Sequence, residues 1–211
     1  MKTVLVLGFE PFANDSINPS AEIAKALDGQ RIAGAAIVGR VLPVVFGASR
    51  AAMLDHMREI KPVAVLAFGL AGGRSDVTPE RVAINVDDAR IPDNAGNQPV
   101  DVRVVPRGPT AYWSSLPIKA IVAALKKQGI PASVSQTAGT FVCNHVFYSL
   151  MHAIRTKQGM KGGFIHVPYL PAQAAGKPSL PLEQSIEAAR IAVEMTLLTK
   201  TDVKRVGGDI L

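Results

Sequence analysis

The stretch TFVCNH, residues 140–145, holds the single cysteine of the chain and one of its four histidines. A thiol can attack a carbonyl carbon when an imidazole takes its proton, and a carboxylate that fixes the imidazole completes such a site. Cys143 is therefore the candidate nucleophile. Thr140 is suited to cap a helix that begins at Phe141, which sets Cys143 in the first turn, where unpaired N–H groups and the positive dipole end favour a thiolate. Such a thiol is expected to react with iodoacetamide well below about pH 8.5. The competing reading is inert packing, because free cysteine is among the most buried residue types.

The histidines separate by spacing. His145 lies two steps along the same helix, a rotation of roughly 200° that turns it away from the thiol. His152 is nine residues on, again near the opposite face and about 13 Å along the axis. His56 falls on an amphipathic helix of the N-terminal half and reads as a half-exposed surface residue. His166 differs: it interrupts the apolar run GGFIHVPYL just before Pro168, where a strand runs out, and sites in open α/β sheets gather outside the carboxyl ends of strands. For the orienting carboxylate, Glu80 in SDVTPERVAIN and Asp93 in ARIPDN both qualify, and spacing does not choose between them.

These residues need a scaffold that brings helix starts and strand ends together. TVLVLGF (3–9) and PVAVLAFGL (62–70) are β-branched runs without polar alternation, the pattern of strands covered on both faces. Helices are expected at 19–27 and 47–59, with a strand at 36–45 between them. Residues 86–115 are crowded with Asp, Pro, Asn and Gly and predict a long excursion with at most a short hairpin. A helix at 117–128, a strand at 131–137, a helix from about Phe141 to Lys157, a strand at 162–167 and a helix at 183–199 follow. The expectation is one α/β domain spanning 1–211, a three-layer α/β/α sandwich around a twisted, mixed, mostly parallel sheet.

Composition narrows the function classes. A chain of 211 residues, 48% hydrophobic, can bury one substantial core. The net charge of +6 comes from 23 dispersed basic residues, and with only 5% aromatic content no nucleic-acid partner is expected. No apolar run approaches the roughly 18 residues of a membrane span. With one cysteine and no signal-like N-terminus, the expected compartment is the cytoplasm. Neither H-E-x-x-H nor paired Cys-x-x-Cys occurs, and neither a metal nor a cofactor is expected.

Six stretches, GFEPF with NPS (8–20), AGGR (71–74), PERVAIN (79–85), ARIPDN with GNQP (89–99), AGTFVCNH (138–145) and GGFIHVPY (162–169), together resemble the pyroglutamyl peptidase type I family in order and approximate spacing. The resemblance implies a cysteine peptidase that removes an N-terminal pyroglutamyl residue, with Cys143 as nucleophile, His166 as base and Glu80 as orienting acid. It gives Asp93 a supporting role and places Arg90 near the oxyanion. Phe9, Phe12, Ile91, Phe141 and Val142 match positions lining the family's apolar pocket, with Asn18 organising its wall, and a homotetramer is implied. The chain departs from the commoner pattern at Leu70, Val44 and Ala172, where Gln, Thr and Glu are usual. Side-chain hydrogen bonds to substrate at the first two positions are thereby lost, leaving the backbone of Leu70 as the implied contact.

Pyroglutamate is an uncharged lactam, so its recognition must be mainly apolar, with Phe9 and Phe12 expected to clasp the flat ring. Lactam N–H and C=O groups buried unpaired cost about 1–3 kcal/mol each, so backbone partners are required. Two other readings compete. Glycines in GLAGGR (69–74) follow a strand and suggest a phosphate cradle, as in nucleoside phosphorylases of similar architecture, although the segment matches neither phosphate-loop motif. A non-catalytic module that captures a capped peptide or metabolite is the third.

Overall fold

A computed structural model describes residues 2–13 and 15–208. The continuous apolar runs form strands β1 (Thr3–Phe9), β3 (Ala35–Leu42), β4 (Ala64–Leu70) and β8 (Lys161–Val167), which pair in parallel in the order β3-β1-β4-β8. Short strands β2 (Arg31–Ile32) and β5 (Thr78–Pro79) add antiparallel edges, giving a six-stranded mixed sheet. Helices α1 (Pro19–Leu27), α2 (Ala48–Ile60), α3 (Ile118–Lys127), α4 (Val142–Ile154), α5 (Pro171–Ala174) and α6 (Leu182–Leu198) lie between or after them.

Alternation along the strands sorts the core into two layers. Val4, Val6, Leu66, Phe68 and Ile165 face a cluster completed by α1, α3 and α6. Leu5, Leu7, Val65, Ala67 and Phe164 face the opposite cluster, completed by α2 and α4. The result is the three-layer sandwich expected from sequence.

Local departures have identifiable causes. The excursion at 86–115 is bracketed by a two-stranded antiparallel ribbon, β6 (Val82–Ile84) with β7 (Ala111–Trp113). Residues 131–137 do not form the expected strand; they make isolated bridges, Val77 with Ala132 and Glu80 with Ser135. Their neighbour Pro79 has no N–H to give, which limits a continuous ladder. Helix α4 ends at Ile154 rather than Lys157, where a turn returns the Lys157 N–H to the Ile154 carbonyl.

Candidate active site

The carboxyl ends of β4 and β8 and the amino end of α4 meet at one point. Gly69 and His166 are register partners across the β4–β8 ladder, so their side-chain directions share a face. A Cβ built on Gly69 would lie 3.0 Å from Cys143 Sγ and 2.7 Å from the Phe164 ring. The sulfur therefore sits over Gly69, beside the strand position that carries His166, and both Cys143 and His166 line one cavity of about 320 Å³.

His166 is 4% exposed and its Nδ1 lies 2.7 Å from Glu80 Oε1. Glu80 reaches it because β5 runs antiparallel to β8 with Thr78 opposite His166, and the strand period of two brings Thr78 and Glu80 to one side. Since the carboxylate only accepts, Nδ1 donates and Nε2 is left as the proton acceptor. Glu80 is fully buried, and Arg74 Nη1 donates to the same Oε1 at 2.7 Å. Arg74 also donates to Thr78 Oγ1 and, through Nη2, to the Thr137 carbonyl. Sequence reasoning gave Arg74 no role; its signal was a basic residue six positions before the candidate acid.

Two expectations about the helix start are corrected. Phe141, not Thr140, occupies the cap position of α4 and provides no side-chain cap, while Thr140 Oγ1 donates to the Asp88 carbonyl at 2.7 Å. The thiol is also not poised as a free thiolate. Burial and the negative charge of Glu80 push Cys143 up to about 12, against the opposing pull of Arg74. The sulfur lines the cavity, yet its burial outweighs the lowering influences of Arg74 and a backbone hydrogen bond.

Among the described residues Asp93 makes no hydrogen bond to His166. It receives the Phe46 N–H at 2.9 Å and the Ala95 and Asn97 N–H groups at 2.9 and 2.8 Å, closing its own loop and tying it to the turn after β3. Burial alone would raise its pKa, but these bonds and that from the Asn97 side chain hold the carboxyl below its ordinary value. His145 turns away from the sulfur as expected, to Asp87. Asn144, which sequence analysis passed over, is fully buried and grips the Ile84 N–H and the Ile84 and Val86 carbonyls, anchoring α4 to β6.

The remaining candidates divide by depth. Arg90 and Ile91 line the outer cavity, and Phe12, Leu70 and Phe141 line both it and a small inner recess. Phe9, Asn18, Val44 and Val142 line only the recess, whose volume of about 10 Å³ holds no more than about one water. Phe9 and Phe12 thus share the recess beside Cys143, each backed by another ring. Phe12 faces Phe141 at 6.0 Å between ring centroids, while Phe9 packs on Phe164 at 6.0 Å. Asn18 caps α1, accepting from the Ser20 N–H and hydroxyl and donating to the Glu10 carbonyl. Among the described residues no group of three or more His, Cys, Asp or Glu is placed to hold a metal ion.

A profile of the pyroglutamyl peptidase family matches residues 2–199. The chain belongs to the pyroglutamyl peptidase family. It is 56% identical to the pyrrolidone-carboxylate peptidase of Cupriavidus pinatubonensis, with 100% of both chains covered. Its identity to the pyrrolidone-carboxylate peptidase of an Enterobacter species is 55%, covering 99% of each. Among solved structures, pyroglutamyl peptidase I of Bacillus amyloliquefaciens superposes with a TM-score of 0.95 at 47% identity, covering 97% of this chain and 99% of that one. The pyrrolidone carboxyl peptidase of Thermococcus litoralis superposes with 0.94 at 42% identity, covering 98% and 100%.

As a pyroglutamyl peptidase family member the chain is a cysteine-type hydrolase. The phosphate-cradle reading of residues 69–74 finds no support. Gly69 is filled by the Cys143 sulfur and the Phe164 ring, and a Cβ on Gly72 would lie 2.4 Å from the Tyr169 ring. These glycines admit neighbouring side chains rather than an anion. Nor do the comparisons support a non-catalytic binding module. Among the described residues no helix is long and apolar enough to cross a membrane.

Proposed function

We propose that the chain hydrolyses the amide bond that follows an N-terminal pyroglutamyl residue, with Cys143 as nucleophile, His166 as base and Glu80 as the acid that orients it. The observation carrying this reading is the Cys143 sulfur beside Gly69, whose ladder partner His166 is hydrogen-bonded to buried Glu80.

Chemistry starts from the protonated thiol. As Sγ attacks the pyroglutamyl carbonyl carbon, His166 Nε2 takes the thiol proton and the C–S bond forms. Backbone N–H groups at the start of α4 receive the oxyanion, with Arg90 near the cavity mouth to add positive charge. The C–N bond then breaks as the imidazolium returns the proton to the departing amine, leaving a thioester. A water enters, loses its proton to Nε2 and attacks the thioester; pyroglutamate leaves and the thiol is restored. Glu80 keeps the imidazole in the productive tautomer throughout, and the buried Glu80 charge favours the transient imidazolium.

The cavity wall of Phe12, Leu70, Ile91 and Phe141 suits an uncharged ring. Leu70 offers only its backbone to the lactam. Asn18 is spent on capping, so it sets the recess wall without facing substrate, and Asp93 supports by holding the loop that carries Arg90 and Ile91. The proposal includes one unit over residues 1–211, a cytoplasmic setting, a homotetramer, and no cofactor, nucleic-acid or membrane partner. Release of a dye from a pyroglutamyl amide by the wild type, abolished in a folded Cys143→Ser protein, tests the activity; undiminished release by that variant would remove the mechanism.

A further inference from the structure

The chain contains a second buried imidazole–carboxylate pair that the reaction does not use. His145 and Asp87, each 5% exposed, meet with Nδ1 2.8 Å from Oδ2. The far nitrogen distinguishes this pair from His166 and Glu80. The Gly47 backbone N–H, which can only donate, gives to His145 Nε2 at 3.2 Å, so Nε2 accepts and Nδ1 is the nitrogen that donates to Asp87.

Three segments are joined at this imidazole. It stands on α4 two residues beyond Cys143, it holds Asp87 in the loop that continues to Arg90 and Ile91, and it receives an amide from the turn between β3 and α2. That turn is held at consecutive amides, Phe46 N–H by Asp93 and Gly47 N–H by His145. The Phe46 ring between them is edge-on to His145 at 5.5 Å and edge-on to Phe141 at 5.4 Å. Phe141 is the aromatic wall shared by the cavity and the recess.

We propose that His145 is a positioning residue for the substrate pocket, setting the Phe141 wall through Gly47 and Phe46. It acts on binding of the pyroglutamyl ring rather than on the thiol, because its nitrogens are both engaged away from Cys143. The proposal rests on the peptidase reading above.

The test is steady-state hydrolysis of a pyroglutamyl amide by the full chain carrying His145→Asn, His145→Gln or Phe46→Leu. An Asn amide reaches the place of Nδ1 and keeps a donor for Asp87, but leaves the Gly47 N–H without an acceptor. A Gln amide reaches the place of Nε2 and restores that acceptor. The expected result is a KM raised roughly tenfold in His145→Asn, with kcat within about threefold of wild type. In His145→Gln, KM stays within about threefold of wild type, and the rate of Cys143 alkylation by iodoacetamide is unchanged in both.

A KM unchanged in His145→Asn, or an equal fall in kcat in both His145 variants at constant KM, overturns the proposal. Phe46→Leu leaves both buried polar partners in place and decides the matter should His145→Asn not fold: a raised KM supports the proposal and an unchanged KM overturns it. In a folded double variant of His145→Asn with Phe46→Leu, the two KM effects should be less than additive in free energy, because both act on one wall. An inactive wild type removes the peptidase reading and this inference with it, whereas an active wild type with unmoved KM in the variants removes this inference alone.

Discussion

Arg74 and His166 converge on one oxygen: Nη1 of the arginine and Nδ1 of the histidine each lie 2.7 Å from Glu80 Oε1. The other carboxylate oxygen, Oε2, is buried with no hydrogen-bond partner among the described residues. Glu80 is thus a buried anion whose compensation is concentrated on one side. Arg74→Met should destabilise the fold by about 1–3 kcal/mol, less than for a fully buried pair because Arg74 is 30% exposed, and should lower kcat more than it raises KM. Arg74→Lys keeps the charge but loses the fork that also reaches Thr78 and Thr137, and should rescue only part of each loss. Denaturant melts and steady-state kinetics read both effects, and wild-type stability in Arg74→Met would count against this assignment.

Gly69 leaves space for the sulfur. A methyl group there would meet Cys143 Sγ at 3.0 Å and the Phe164 ring at 2.7 Å, so one of them must move. Gly69→Ala is expected to lower kcat/KM by about 100-fold, because a misplacement near 1 Å has that effect on a positioned nucleophile. Circular dichroism should show the fold retained; full activity would mean that the sulfur does not react from this place.

The pH dependence of alkylation follows from the cause of the thiol shift. Burial comes first and the Glu80 charge second in raising Cys143 to about 12, so in the free protein the thiol is protonated at neutral pH. Iodoacetamide labelling should therefore keep rising as pH increases past about 8.5 rather than level off below it. Glu80→Gln removes a raising influence and leaves Arg74, which acts in the opposite sense, so labelling at a given pH should become faster while turnover falls. A rate that plateaus below that pH in the wild type would contradict the protonated resting state.

Asp93 links the loop to acid stability. Its folded pKa lies below the ordinary value of 3.8, so between the two the unfolded chain binds more protons than the folded one. The stabilising contribution is present above that ordinary value and is lost as pH falls through the folded one. Asp93→Asn should lower the melting temperature at pH 7, with the difference from wild type shrinking as the pH is taken progressively below the ordinary value of 3.8. A difference independent of pH would show that the carboxylate charge is not what holds the loop.

The sequence was most informative where one period or one motif decides. Apolar runs without alternation marked the main parallel strands, because both faces of such strands are covered, and the 3.6-residue period marked α1, α2, α3 and α6 to within a residue or two at each end. Edge strands of two residues, such as β2 and β5, carry no periodic signal at all. The cap of α4 was misplaced by one residue: the helix starts at Val142, and the Thr140 hydroxyl instead donates to the Asp88 carbonyl, in a loop 52 residues away in sequence.

For the site, the chain alone singled out the thiol and the strand-end histidine as candidates, since those choices turn on residue type, helix rotation and the end of an apolar run. Glu80 and Asp93 stayed equivalent until the family resemblance separated them, because both are lone acids in irregular segments. Tertiary structure decided what no local pattern encodes. Glu80 reaches His166 across 86 residues through an antiparallel edge strand, Arg74 shares its oxygen, and Asp93 is spent on its own loop. The charge state of Cys143 belongs to the same class: helix position pointed toward a thiolate, but desolvation and a neighbouring anion act through space, and they exist only once the chain has folded around the sulfur.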